Sequence, residues 1–126
     1  MTHPFNNTAD VLARFNEAFL RHEPALLDPL IADDCVVEKS NPVPGSTHHV
    51  GRAACLAAWK AIAADRSGEF TVDEVTALGE IGLIFWRYRT GPAPEQELRA
   101  INVMRVRDGL IVEGRGYVKT RPAVAA

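Results

Sequence analysis

The sequence predicts an α+β domain in which helices come first and a hairpin-linked sheet follows. Three observations lead there. Apolar residues recur at helical spacing through the first half, in Val11, Leu12, Phe15, Ala18 and Phe19 and again in Cys55, Leu56, Trp59, Ile62 and Ala63. After Gly68 the period falls to two. The later segments are joined by very short connections, among them Asp108-Gly109, a strong two-residue hairpin signal.

The elements follow in order. Thr8 to His22 reads as a helix that Asn7 or Thr8 can cap, with Asp10 in its first turn. Pro24 ends it, and Pro29 limits Ala25 to Ile31 to a short second helix. Cys35 to Lys39 is a β-branched strand. Ser40 to Gly51 carries Asn41-Pro42 and Pro44-Gly45 and reads as a loop, with a short strand at His48 to Val50. Arg52 to Asp65 is the third helix, ended by Ser67-Gly68. Glu69 to Leu78, Ile81 to Thr90, Leu98 to Arg107 and Leu110 to Lys119 form an antiparallel meander. The meander leaves the helices no crossover position, so they belong on one face of the sheet. A strongly twisted sheet can curl around them and enclose a cavity.

The 126 residues make one domain, spanning 1–126, with an ordinary 47% hydrophobic and 24% charged content. Fourteen Lys and Arg against sixteen Asp and Glu leave a net charge of −2, which gives no reason to expect nucleic acid or an anionic membrane as partner. No apolar run approaches the roughly 18 residues that span a bilayer, and the polar N-terminus does not read as a signal peptide. The expectation is a soluble, cytoplasmic protein. The two cysteines, Cys35 and Cys55, are too few for a disulfide framework and read as buried free thiols. Cys55 lies near a helix start, so a reactive thiolate there is the alternative.

Alternation assigns the interior. Ala100, Asn102, Met104 and Val106 face inward, because the opposite set would bury Arg99, Arg105 and Arg107. The same reasoning turns Trp86 and Tyr88 inward rather than Arg87 and Arg89, and in the last strand selects Val112, Gly114, Gly116 and Val118. The two glycines leave space near the helices. With Phe15, Phe19 and Trp59 from the helices, the expected result is an aromatic-lined cavity with Asn102 near its middle. Phe15, Phe19 and Trp59 read equally as plain core, and the Tyr88 hydroxyl as reaching solvent. The five arginines are expected on a charged outer sheet face or dimer rim. Of the adjacent His48 and His49, strand geometry sends one each way, so the two alone cannot make a metal site. His49 is the candidate acid or base at the cavity mouth and Glu38 a second one, against a surface histidine and a solvated carboxylate. No phosphate-cradling glycine loop, serine elbow or Cys-x-x-Cys occurs, so no cofactor and no metal are expected.

Several motifs resemble the nuclear transport factor 2-like superfamily over about residues 8–119: Phe15-Asn-Glu-Ala-Phe-Leu, Leu30-Ile-Ala-Asp-Asp-Cys-Val-Val, Gly51-Arg-Ala-Ala leading to Trp59, and Arg105-Val-Arg-Asp-Gly-Leu-Ile-Val-Glu. The look is that of its SnoaL-like branch, with ketosteroid isomerase and limonene epoxide hydrolase as distant cousins. The resemblance implies a cone-shaped barrel, a strongly curved and mostly antiparallel sheet around N-terminal helices, with a pocket in its open end and a homodimer through the outer sheet face. The scaffold hosts enzymes, binders and assembly modules alike. The isomerase phenol position falls on Phe15, its protonated acid on Asn102 and its base on Lys39 or Asn41. The hydrolase acids fall on Asn102 and Gly116. Both chemistries therefore lose their acids. The expected function is binding of a small, apolar, cyclic molecule, with proton-transfer chemistry of the cyclase, isomerase or dehydratase type if catalysis occurs: His49 or Glu38 would move the proton and Asn102 polarise an oxygen. The alternative is a noncatalytic ligand-binding or dimerisation module.

Overall fold

The protein is described by a computed structural model covering residues 7–39 and 48–119. Helix α1 (Thr8–Leu20) is capped by Asn7, whose side chain accepts from the Ala9 amide at 2.8 Å. Thr8 lies inside the helix instead and donates its hydroxyl to the Gly79 carbonyl at 2.6 Å, tying α1 to a sheet turn. The helix stops two residues short of the expected His22, which takes a left-handed φ of 53°. The buried His22 ring donates through Nδ1 to the Ala63 carbonyl at 3.0 Å and so joins the ends of the two long helices. Pro24–Leu30 is a 3-10 helix, in keeping with a segment whose Pro29 has no amide to donate.

Strand β1 (Ile31–Lys39) begins four residues before the Cys35 expected from sequence. Ile31 already pairs with Ile111, and the register slips before Val36 resumes the ladder opposite Glu113. β2 (His48–Val50) pairs antiparallel with β1, and helix α2 (Arg52–Ala64) follows from Gly51, whose φ of 94° suits glycine. The meander is β3 (Glu69–Leu78), β4 (Ile81–Arg89), β5 (Glu97–Arg107) and β6 (Leu110–Lys119). Asp108 and Gly109 both have positive φ, 53° and 78°, as a hairpin turn matched to strand twist requires.

The sheet order is β2-β1-β6-β5-β4-β3, with β1 and β6 the parallel pair and every other pairing antiparallel. The sheet is open, with β2 and β3 as its edges, so the architecture is a curved α+β cone and not a closed barrel. Both helices pack on one face. Val11, Leu12, Phe15, Cys55, Leu56 and Trp59 meet Ile84, Met104, Val106 and Ile111 in a single core.

Ala100, Met104 and Val106 are buried as alternation predicts, and Asn102 is half-buried among them. β6 departs from the expectation near its start. A bulge sets Arg105 opposite Glu113 and Val106 opposite Ile111, leaving Val112 as the extra residue. The bulge shifts the phase by one, so Ile111 enters the core where Val112 was expected.

The outer face also differs from a plain charged surface. Arg87 pairs with Asp73 and Glu97, Arg89 and Arg99 with Glu97, Arg105 with Glu80 and Glu113, and Arg107 with Glu80. Between these pairs runs an apolar row in register, Phe85–Ile101–Tyr117, with Leu83 and Val103 beside it.

The seating of α1 on β4 depends on Gly82, because the Leu12 side chain occupies the place a β-carbon there would take. Gly82→Val is expected to destabilise the protein by about 1–3 kcal/mol through overpacking, measured by urea denaturation. An unchanged midpoint would contradict this packing.

Candidate functional site

A cavity of about 330 Å³ opens between the helices and the inner face of the sheet. Its walls follow from two helical stripes and the strand alternation. α1 contributes Phe15, Phe19 and Leu20, α2 contributes Trp59 and Ile62, and the strands add Val37, Phe70, Val72, Ile84 and Trp86. The rings form a continuous chain. Trp59 meets Phe15 edge-on at 5.0 Å, Phe15 meets Phe19 at 4.9 Å, Phe19 meets Phe70 at 5.6 Å and Phe70 meets Trp86 at 5.5 Å. These separations lie in the range where edge and offset ring contacts are favourable.

Asn102 reaches the cavity from the middle of β5. The Trp86 indole N–H donates to its Oδ1 at 3.1 Å. An indole nitrogen can only donate, so this bond fixes which end of the carboxamide is oxygen. Trp86 lies diagonally across the ladder from Asn102, one pair beyond the direct partner Ile84. The carboxamide therefore keeps its two N–H donors free of protein acceptors among the described residues. Every fully buried side-chain nitrogen or oxygen among those residues has a partner, so the free Nδ2 reaches the space of the cavity.

The two glycines of β6 play different parts. A β-carbon on Gly114 would stand 2.7 Å from the Trp59 ring, so the room expected there is filled by the indole. Among the described residues, a β-carbon on Gly116 would meet only the Asn102 Oδ1, at 3.2 Å, so none of their side chains fills the space above Gly116.

Of the residues singled out from sequence, Phe15, Phe19, Trp59, Trp86, Asn102, Gly114, Gly116 and Glu38 line the cavity. Tyr88, Met104 and His49 do not. Tyr88 packs behind Phe70, its ring against the Gly68 backbone and its hydroxyl 3.4 Å from Ser67 Oγ. Met104 is fully buried in the core beside Gly114. His49 is opposite Val37 in the β1–β2 ladder. Glu38 stands at the cavity edge with its exposed carboxylate 3.8 Å from His48 Nδ1. Asn41 lies outside the described residues, whereas Lys39 lines the cavity.

Sequence reasoning passed over Asn16 and Phe70. Asn16 is buried on α1 and lines the cavity. It stands four residues after Leu12 and four before Leu20, a polar side chain inside an apolar stripe, and that interruption was the available signal. Phe70 and Val72 alternate with Glu69, Thr71 and Asp73, which marks the inner face of β3 in the same way.

Burial pushes the Cys35 and Cys55 thiols up, with Cys35 raised further by its neighbour Cys55. Cys55 Sγ donates to the Cys35 carbonyl at 3.3 Å. Both side chains are free and buried, which removes the thiolate alternative for Cys55. Among the described residues no group of three or more His, Cys, Asp or Glu could hold a metal ion, and no helix is long and apolar enough to cross a membrane.

Helices covering one face of an open, curved mixed sheet, with a ring-walled cavity between them, define a protein of the nuclear transport factor 2-like class. The sequence profile of the SnoaL-like domain matches residues 12–114, and the chain belongs to that family. Among solved structures it is similar to an NTF2-like protein of unknown function from Mesorhizobium loti, at 42% identity and a TM-score of 0.81, over 95% of this chain and 100% of that one. It shares its fold with an NTF2-like protein of unknown function from Cytophaga hutchinsonii, at 11% identity and a TM-score of 0.71, over 94% of this chain and 95% of that one. The fold also recurs in a protein of unknown function with a cystatin-like fold from Methylobium petroleophilum, at 16% identity and a TM-score of 0.74, over 98% and 84% of the two chains. Among curated proteins none matches the chain.

The state of the thiols is checked by titration with Ellman's reagent. The native protein is expected to show no reactive thiol at pH 8, and the denatured protein its full complement of 2. Prompt reaction in the native state would mean that Cys35 and Cys55 are less enclosed than the packing implies.

Proposed function

We propose that the protein binds a small, largely apolar, ring-bearing molecule in the cavity, with Asn102 donating to an oxygen of that molecule. The observation that carries this reading is the combination of a chain of aromatic rings and one carboxamide held in a fixed orientation by Trp86. Apolar walls provide affinity without direction, while a single oriented donor selects where an oxygen must lie. Turnover in such a site is proton transfer on the bound molecule, of the isomerase, cyclase or dehydratase type. Asn102 stabilises the charge that develops on the oxygen, whereas the Glu38 carboxylate, opposite Arg115 and exposed beside His48, lies on the other face of β1 from Val37 and Lys39 and is not assigned the proton. The acids that ketosteroid isomerase and the epoxide hydrolases would use have no counterparts at Phe15, Asn102 and Gly116, so neither of those reactions is part of the proposal.

A ligand of this kind raises the melting temperature of the protein, with a stabilisation that grows as the logarithm of its concentration above Kd. A library of hydrophobic ring compounds is expected to yield stabilising members, and Gly116→Val, which fills the open space beside Asn102, is expected to abolish their effect while the protein still folds. Failure of every such compound to shift the melting temperature, up to its solubility, would refute the reading.

A second reading concerns the outer sheet face. We infer that two copies of the chain associate through it, because an in-register apolar row is ringed by arginines already neutralised by carboxylates. Phe85 and Tyr117, on either side of Ile101, are 37% and 44% exposed, so the row presents apolar surface to solvent. The rim charges are paired within the chain, so a second copy would cover the row without stranding a cation. Sedimentation analysis is expected to show a dimer for the wild type and a monomer for Ile101→Glu. A strictly monomeric wild type would overturn the inference.

A further inference from the structure

Lys39, Gly116 and Asn102 occupy one transverse row of the sheet. Asn102 is the register partner of Gly116 across β5 and β6, and Gly116 is the partner of Lys39 across β6 and β1. Partners in adjacent strands point to the same side, and all three residues line the cavity. Gly116 has no side chain, so Lys39 and Asn102 stand on either side of a position that carries none. Their backbones are two strand spacings apart, about 10 Å.

Lys39 is half-buried and makes no ion pair with any described residue. All 16 Asp and Glu of the sequence lie among the described residues, and none of them pairs with Lys39. Its sequence neighbour Glu38 is directed to His48 instead. Of the nearby polar groups, Asn102 offers N–H donors, because its oxygen is taken by Trp86.

We propose that this row is a cradle for an anionic oxygen, so that the molecule bound in the cavity is a ring compound bearing a carboxylate or an ionised hydroxyl group. The inference rests on the cavity reading above and narrows it to a ligand class. The two donor-bearing residues share one row on the inner face, and the position between them is a glycine. In an apolar cavity a charge-assisted hydrogen bond from an ammonium is considerably stronger than in water. Desolvation lowers the affinity of Lys39 for its proton below the ordinary lysine value, and an anion beside it would offset that cost.

The test uses two probes of almost equal shape, 2-naphthoate and 2-naphthamide, titrated by calorimetry at pH 7 into the full chain. The wild type is expected to bind the carboxylate at least tenfold more tightly than the amide. Lys39→Met is expected to lose that preference by weakening only the carboxylate, and Lys39→Arg to recover part of it. Lys39→Gln provides the same comparison should the methionine variant fold poorly. Equal affinity of the wild type for both probes would overturn the proposal and leave the cavity reading standing, as would a preference that survives removal of the charge. Binding of neither probe would overturn the proposal, whereas the cavity reading falls only if the whole library of ring compounds also fails to stabilise the protein. Titration with 2-naphthol, neutral at this pH, and with a 2-naphthol analogue acidified by electron-withdrawing groups separates an ionised hydroxyl from a carboxylate as the preferred anion.

Discussion

Gly114 and Gly116 share the inner face of β6, and what lies above each of them sets the shape of the interior. The indole of Trp59 descends onto Gly114 and closes the cavity on that side. That contact places Trp59 edge-on to Phe15, and the rest of the ring chain follows through Phe19, Phe70 and Trp86. Above Gly116 no ring of a described residue descends, and among those residues the only near atom is the Asn102 oxygen. One glycine therefore admits a side chain from α2 and the other preserves a hollow. With larger residues at both positions, the helices could not approach the sheet at one point while standing clear of it at the next.

The hollow is expensive because its lining forgoes van der Waals contacts that a packed core would make. Polar groups facing it add a further cost unless they find partners. Asn102 meets that cost in part with the Trp86 bond, which also removes its rotational ambiguity. Asn16 faces the same space from α1 without a hydrogen bond to any described residue. An interior evolved only for stability would have replaced these amides with Leu or Met. Two amides facing an open volume are the features on which the proposed binding site rests.

Much of this was legible in the sequence because two short-range signals were strong. The switch from helical to alternating period located every strand of the meander to within a residue or two. The cost of burying arginine decided which face of β4 and β5 turned inward. The failures have equally local causes. The bulge at Val112 inserts one residue and flips the alternation at the start of β6, and no residue type announces it. β1 begins early because Ile31 finds a parallel partner in Ile111, a pairing between distant segments that no local pattern contains. Tyr88 alternates correctly but stands at the end of β4, where Phe70 separates it from the cavity. Reading the arginines as a charged face overlooked Phe85, Ile101 and Tyr117, because each acid–arginine pair is formed across strands and leaves the centre apolar.

The two faces of the sheet also treat cations in opposite ways. Six arginines on β4, β5 and β6 each lie within reach of a carboxylate, and Glu97 alone serves three of them. These pairs are exposed, so each adds little to stability, but together they keep the outer face close to neutral. Acids exceed bases in the chain, and a carboxylate near Lys39 would not have been hard to supply. Arg66 and Lys119 also lack ion pairs among the described residues, but both are exposed and water serves them. Lys39 has neither full hydration nor a counter-charge among the described residues, and it lines the cavity in the same row as a second donor. A half-desolvated ammonium in that position raises the energy of the empty protein. Only an interaction formed after the cavity fills can recover that energy, which is how a protein makes its affinity depend on the charge of what enters.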